Sequence, residues 1–476
     1  MHLIALITLL AVSPLQVGTE NQLLVDTRFF AESQNVSLKL HPATKTNEKT
    51  IQPDKPWEDA TLGWFSVMDD GTACKMWYEC YDVEGWPTSD DTSFCYAEST
   101  DGITWTKPSL NLFPYHDAQT TNILFRLIGP EGARSRVHGS CVFKDPTAPP
   151  EARYKAVSQG SYLKSTPLPA DPPVSTFYRV AGMTSPDGIH WTRHPEPICT
   201  VMADSQYSCF WDESLKQYVL YGRANGRGRA LGRTASADFT KFDPLTLVLE
   251  TFATTPPDRD LYNPAAMKYP FAQSVYFMFP SLYNHETDTL DIRLAVSRDG
   301  IHWTWPEPDK PFIALGPAGA FDSGSLYMGQ GFIRRGDELW QYYSGSPLRH
   351  NKAELPNLTE PGNARIYSRV ITQFDRYVSA DAGPEGGYFI TPPLLFTGNT
   401  LHLNAEIKDG GQIRVGLIEP TGKPIDGYSL DESIPLTEDN TCSQALWKAG
   451  VDLSSLAGKP IRMRGELFNA SVYAIQ

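Results

Sequence analysis

Six side chains in this sequence have the types that general acid–base chemistry requires. They are the carboxylates Glu58, Asp204 and Asp322, with His138, Arg223 and His350 as polar companions. Acid–base cleavage of a C–O bond needs one carboxyl group that stays protonated and donates to the leaving oxygen. It needs a second that is ionised and acts as nucleophile or as base for water. Neighbouring carboxylates push each other's proton affinities apart, which creates that division of labour. Arginine and histidine hold hydroxyls or a substrate carboxylate through charge-assisted hydrogen bonds. The expected roles are Glu58 and Asp204 as the catalytic pair and Asp322 as a third carboxylate that binds hydroxyls or tunes the pair. His138, Arg223 and His350 are then substrate contacts. Each carboxylate also has a plainer reading as a strand-start cap or a rim salt bridge, and the sequence leaves open which of the pair is acid and which is base.

These residues are scattered over three hundred positions, so a scaffold must gather them. A repeat supplies it. Ser99-Thr-Asp101-Gly102-Ile-Thr-Trp105, Ser185-Pro-Asp187-Gly188-Ile-His-Trp191 and Ser297-Arg-Asp299-Gly300-Ile-His-Trp303 share one pattern, and Ser236-Ala-Asp238-Phe239 is a degenerate copy. The pattern is that of a turn between strands: the Asp side chain caps the turn backbone, Gly takes a positive φ, and Trp opens the next strand. These boxes read as structural staples rather than catalytic groups.

Each box ends a unit of three β-rich stretches. The stretches are 62–68, 75–81 and 94–98, then 137–143, 153–157 and 177–183, then 206–211, 217–221 and 230–234, then 263–268, 274–279 and 292–296. A fifth set, 325–333, 339–343 and 365–371, has 374–379 as its outer strand, and loop-rich insertions at 108–134 and 158–176 lengthen the first two units. Five four-stranded units of this kind predict a five-bladed β-propeller. From about Pro384 the pattern changes to short alternating strands without boxes, which predicts a C-terminal β-sandwich after a linker at Pro392-Pro393. The fold class is therefore all-β. The expected division is a signal peptide over 1–19, bridging or closing strands over 20–55, the propeller over 56–383 and the sandwich over 384–476.

In a propeller the first strands line a central channel. One mouth is formed by their starts and by the loops that join second to third strands. That rule gathers Glu58, Asp59, His138, Asp204, Asp260, Asn263 and Asp322 from strand starts, and Glu79, Asp82, Arg223, Tyr283, Arg349 and His350 from the loops. It sends Asp69, Asp70, Asp145 and Asp212 to the opposite end as turn caps.

The bulk properties exclude several function classes. A formal net charge of −14 argues against a nucleic-acid partner. Residues 3–12 form a short apolar run of the kind that directs export, and no later segment approaches the length of a membrane span, so the expected location is secreted or periplasmic. The seven cysteines are scattered without a Cys-x-x-Cys pair, which speaks against structural zinc. Cys80 and Cys95 fall on consecutive strands within pairing reach. No cofactor is called for, and no ligand spacing demands calcium or another metal. Asn35, Asn357 and Asn469 fit the glycosylation acceptor pattern.

A five-bladed propeller with Ser-x-Asp-Gly-x-x-Trp turns and a β-sandwich behind it resembles glycoside hydrolase family 32 and its arabinanase-like relatives. The resemblance covers nearly the whole chain in architecture. It implies a hydrolase acting on terminal units of a carbohydrate, with that carbohydrate as the partner. The catalytic motifs depart from the family's. Where the family carries Trp-x-Asn-Asp-Pro-x-Gly, this chain reads Pro56-Trp57-Glu58-Asp59-Ala60. The nearest string to Arg-Asp-Pro is Lys144-Asp145-Pro146, and Glu79-Cys80 lies in the first unit rather than the third. Two other readings stand beside this one: a carbohydrate-binding propeller without catalysis, and a sialidase-like site using Arg179, Arg223, Arg293 and Tyr262.

Overall fold

The computed structural model describes residues 13–84, 92–126, 137–163, 176–201, 204, 206–251, 259–353, 355–448, 450 and 452–476. The apolar run 3–12 lies outside them. The described chain is almost entirely β-structure and divides into two compact units, Pro42–Tyr269 with Ser274–Thr372, and Met1–His41 with Pro270–Gln273 and Gln373–Gln476.

The larger unit has a β-propeller arrangement. Four separate antiparallel four-stranded sheets form in chain order. The first is Thr61–Asp69, Cys74–Tyr81, Ser93–Ser99 and Ile123–Phe125; the second is His138–Lys144, Tyr154–Leu163, Thr176–Ser185 and Thr192–Arg193. The third is Ser208–Asp212, Gln217–Gly226, Gly228–Ser236 and Thr246–Leu249; the fourth is Ala266–Lys268, Tyr276–Met278, Ala295–Ser297 and Trp303–Thr304.

The expectation of five separate blades needs correction, because four are separate. The fifth set, Ser325–Met328, Glu338–Ser346 and Ile366–Gln373, belongs to an eight-stranded sheet that also holds Arg259–Tyr262, Ser281–Asn284 and Thr289–Ile292. The reason lies in the fourth unit, whose strands are interrupted. Pro264 and Pro280 have no N–H to give a ladder, and Asn263 and Ala265 take positive φ beside the first of them. The halves beyond these breaks, with Arg259–Tyr262 leading, continue into the fifth set through a parallel pairing of Leu290 with Ser325. The outer strand of the fifth set is also not 374–379. It is Thr44–Lys45, from near the other end of the chain, paired with Ile371 and Val370.

The boxes are built as the residue types require. Ser99 Oγ accepts from Gly102 N at 2.8 Å, and Asp101 Oδ1 accepts from Ile103 N and Thr104 N, both at 2.8 Å. The boxes at 185 and 297 repeat these bonds. Each box glycine also carries a bond that the sequence does not announce. Its carbonyl accepts from an aromatic side chain on another set of strands: Tyr342 OH to Gly102 O at 2.5 Å, Trp77 Nε1 to Gly188 O at 2.7 Å, and Tyr221 OH to Gly300 O at 2.6 Å. The boxes thus pin sheet to sheet, and the Tyr342–Gly102 bond joins the fifth set to the first.

Gly188 has φ +80, and a Cβ there would lie 2.7 Å from Trp77 Cζ2. Gly188→Ala should therefore cost at least about 1–2 kcal/mol from the backbone alone, read from the denaturant midpoint. The box carboxyls also tie stability to acid. Backbone N–H donors at Ile103 and Thr104 hold Asp101 down to about 2. At Asp187 and Asp299 burial acts upward, but the turn N–H groups and His190 or His302 outweigh it and again hold the carboxyl at about 2. A folded value depressed in this way contributes stability that is complete above the ordinary carboxylate value and lost as pH falls through the folded one. The thermal midpoint should drop between about pH 4 and pH 2, and Asp187→Asn should flatten that drop.

The turn caps at the other end form as expected. Asp70, Asp145 and Asp212 each accept turn N–H bonds, from Thr72, Thr147 and Ser214 respectively. The thiols are free, with Cys80 Sγ and Cys95 Sγ 3.5 Å apart in the core of the first sheet.

The smaller unit is organised on Arg462–Ile475, a 14-residue strand, and His402–Ile418, a 17-residue strand paired with it. Most of the tail strands are hydrogen-bonded into one eight-stranded sheet, with Glu32–Gln34, Ser37–Leu40 and Gln22–Leu23 from the N-terminal segment included, while Leu15–Gly18 with Leu394–Phe396 and Ser433–Ile434 with Leu446–Trp447 form two two-stranded sheets. Register shifts between Asn404 and Ala405 and between Ile407 and Gln412 mark where the long strand departs from regular pairing. Its core holds Phe389, Val415, Trp447, Met463 and Val472. No helix among the described residues is long and apolar enough to cross a membrane.

Candidate functional site

Alternation along one strand decides which acidic residues come together. In Cys74–Tyr81 successive side chains point to opposite faces. Trp77 reaches Gly188 of the second sheet, so Glu79 and Tyr81 share the face toward that sheet, and Tyr78 points the other way. On the Glu79 face waits His138, the first residue of His138–Lys144. A register shift follows between His138 and Cys141, and Gly139 takes φ +68 there. That local twist turns Gly139 N into a donor to Glu79 Oε2 at 2.7 Å. Glu79 Oε1 lies 3.1 Å from His138 Nδ1 and accepts from Tyr81 OH at 3.2 Å. Glu79 is fully buried. Its chain fills the space above Gly63, where any Cβ would overlap it.

From His138 the contacts run outward. Its Nε2 lies 3.4 Å from Asp204 Oδ1, and Asp204 Oδ2 accepts from Arg223 NH1 at 2.7 Å. The Asp204 side chain is 51% exposed, in contrast to Glu79. The result is a string Glu79–His138–Asp204–Arg223: a sealed carboxylate, an imidazole between two carboxylates, then an open carboxylate steadied by a guanidinium.

Beside this string lies an aromatic cluster. Trp64, Tyr283 and Tyr327 pack together in one core with Tyr262 against them. Tyr327 OH is 3.0 Å from His350 Nδ1, and the His350 ring stands against Tyr262 and Tyr283, at 4.8 and 5.1 Å between ring centres. Burial, reinforced by Arg365, holds His350 down to about 4, so its imidazole is neutral at neutral pH. The charge of Asp204 acts on His350 in the opposite sense, and Arg223 acts on the Tyr262 hydroxyl, so the string and the cluster are neighbours. Asp260 completes this side. It accepts from Arg229 N at 2.8 Å and Arg229 NH1 at 3.0 Å, and lies 3.1 Å from His285 Nε2.

The structure brings His138, Asp204, Arg223 and His350 into this neighbourhood. It does not bring Glu58 or Asp322 there. Glu58 has no exposed surface; Tyr78 OH donates to it at 2.6 Å, Asp54 N at 3.0 Å and Lys107 Nζ at 2.6 Å. Because Tyr78 and Glu79 point to opposite faces, Glu58 is on the far side of the first sheet from His138. Asp322 is 2% exposed and is occupied by Lys45 Nζ at 2.6 Å and Tyr343 OH at 2.8 Å. Both carboxylates are enclosed and already engaged by a lysine and a tyrosine.

The neighbour of Glu58 behaves differently. Asp59 is exposed and accepts from Val83 N at 2.8 Å. Partial withdrawal from water, with Asp82 and Glu84 close by, holds its carboxyl above the usual range. The next residue, Ala60, donates its N–H to Tyr81 O at 3.0 Å, which places Asp59 on the same rim as Tyr81. Sequence reasoning weighed Asp59 and Glu79 only as members of the ring. The signal that would have separated them from Glu58 is strand parity, read from the Trp77 that must face the next sheet.

The structural likeness is to glycoside hydrolases. A glycosyl hydrolase from Bacteroides ovatus is similar at 14% identity with a TM-score of 0.49, over 73% of this chain and 99% of that one. A second solved glycoside hydrolase is similar at 14% identity with a TM-score of 0.47, over 71% of this chain and 92% of that one. A third, from work on GH130 mannoside phosphorylases and hydrolases that target β-1,2 mannosidic linkages, is similar at 13% identity with a TM-score of 0.47, over 72% and 97%. No family model and no curated protein matches the chain.

Proposed function

We propose that the protein is a secreted glycoside hydrolase that removes terminal units from a carbohydrate at the mouth of its propeller, the Thr44–Lys45-closed set of strands counting as the fifth blade. The observation that carries this reading is the half-open Asp204 carboxylate. It is fixed between His138 and Arg223, with buried Glu79 behind the imidazole and aromatic rings alongside.

In this reading Asp204 is the nucleophile or base, held in place by Arg223 NH1 at 2.7 Å. Asp59 is the proton donor, because its surroundings favour the neutral carboxyl, so the two environments push the two groups toward opposite roles. His138 Nε2, at 3.4 Å, and Arg223 hold the Asp204 carboxylate between them. Of the aromatic cluster, Tyr262 keeps partial exposure and would supply a flat apolar face for a sugar ring, with the buried Trp64, Tyr283 and Tyr327 behind it.

The test is a screen of the full chain against aryl glycosides and oligosaccharides, with released monosaccharide as the readout. Asp59→Asn should slow natural oligosaccharides far more than nitrophenyl glycosides, whose leaving group needs no proton, and should remove the alkaline limb of the kcat/KM profile. Equal loss on both substrate types would remove Asp59 from the donor role. Sugar binding without turnover on any substrate would make this a binding propeller instead.

A further inference from the structure

One guanidinium beside His350 and Tyr327 stands without an anion. Arg223 is matched by Asp204, and Arg229 by Asp260. Arg365 is matched by nothing: among the described residues it makes no hydrogen bond and no ion pair. Its one close contact is the Tyr327 ring, with the guanidinium carbon 4.8 Å from the ring centre. Its Nε is buried without a partner. Asp288, whose charge acts on the same Tyr327 hydroxyl, is engaged elsewhere, accepting from Tyr283 OH at 2.9 Å and Asn351 N at 3.1 Å. His350, beside Arg365, is held neutral and offers no compensating charge.

A partly buried guanidinium without an anion is costly, and folded chains ordinarily pair it. Arg365 is the residue before Ile366–Gln373, after the loop that carries His350, so it stands at the same end of the sheets as the rest of the site. Its planar fork matches a carboxylate in two parallel hydrogen bonds. Tyr327 is enclosed and backs the guanidinium, whereas the partly exposed Tyr262 ring, which packs against the same core, is left to meet the body of a sugar.

We propose that Arg365 is a subsite for the carboxylate of an acidic sugar, so that the carbohydrate bound in this cleft carries a uronic acid. The proposal rests on the reading of the cleft as a carbohydrate site. The chain's net charge of −14 does not oppose it, because exposed charges beyond about 10 Å are screened at ordinary salt, whereas the guanidinium acts at contact.

The test measures binding rather than turnover, by calorimetry on the full chain. The probes are glucuronate, galacturonate, their methyl esters, glucose and galactose, against wild type, Arg365→Gln and Arg365→Lys. The expected result is at least tenfold tighter binding of a uronate than of its ester or neutral parent. That preference should weaken as sodium chloride rises, vanish in Arg365→Gln and partly return in Arg365→Lys. Unchanged thermal midpoints would show the variants to be folded. Equal affinity for acid, ester and neutral sugar, unaltered by Arg365→Gln, would overturn the anionic subsite and leave the carbohydrate cleft standing. A uronate preference that survives Arg365→Gln in a folded variant would place the anion elsewhere and overturn the assignment. No binding of any sugar by wild type would overturn the cleft and the subsite together.

Discussion

Asp204→Asn should lower the rate of sugar release by about a thousandfold or more, an increase of about 4 kcal/mol in the barrier, and leave the unfolding midpoint almost unchanged. The two halves of that expectation have separate causes. Asparagine keeps the shape and can still accept from Arg223 NH1, but it carries no charge with which to attack or to take a proton from water. Its cost to the fold is small because the side chain is half in solvent and its partner Arg223 is itself 28% exposed, where ion pairs contribute little. A thermal midpoint measured beside kcat/KM separates chemistry from folding. Turnover that persists in a folded Asp204→Asn enzyme would remove the proposed nucleophile or base.

The second large effect falls on stability. Lys107→Met should destabilise the protein by about 3–5 kcal/mol, the usual consequence of leaving a buried charge without its partner. Lys107 is 8% exposed and Glu58 0%, their atoms are 2.6 Å apart, and Lys107 also reaches Asp54 at 2.5 Å. Removing both charges, as in Glu58→Met with Lys107→Met, should recover most of the loss, because the uncompensated carboxylate is then gone. The denaturant midpoint reports both outcomes. The same series settles the role of Glu58: a folded Glu58→Gln protein should turn over substrate normally, and a thousandfold loss there would return Glu58 to the catalytic pair.

How much could be read from the residues differs between scaffold and site. The boxes were legible because their chemistry is local: Ser, Asp and Gly within four positions make their own hydrogen bonds. The strand triplets of the first four sets were legible for a similar reason, since each lies between one box and the next. The interruption of the fourth set turned on Pro264 and Pro280, each of which could as well have sat in an edge strand. The Thr44–Lys45 strand is too short to carry a pattern, so its place beside Val370 could not be foreseen. At the site, Glu58 and Asp59 are adjacent in sequence and indistinguishable by type. What separates them is that Glu58 closes onto Tyr78 and Lys107, a contact between positions 20 and 49 residues apart. Glu79 shows the converse. Its backbone partner is a positive-φ glycine one sheet away, and the local signal for it is the parity it shares with Trp77.

The closing strand has a consequence for how the protein comes into being. Thr46 Oγ1 and Thr50 Oγ1 donate to carbonyls 323 and 317 positions later in the chain. A ribosome delivers the first of these partners long before the last, so this set of strands stays incomplete until nearly four fifths of the polypeptide exists. Through that interval Thr44–Lys45, Thr46 and Thr50 lack their mates, as does the box at Gly102 until Tyr342 is made, and the entropic cost of joining distant segments is met in a late step. That step should be the slow phase of refolding, and truncations short of residue 373 should yield chains that collapse but do not close.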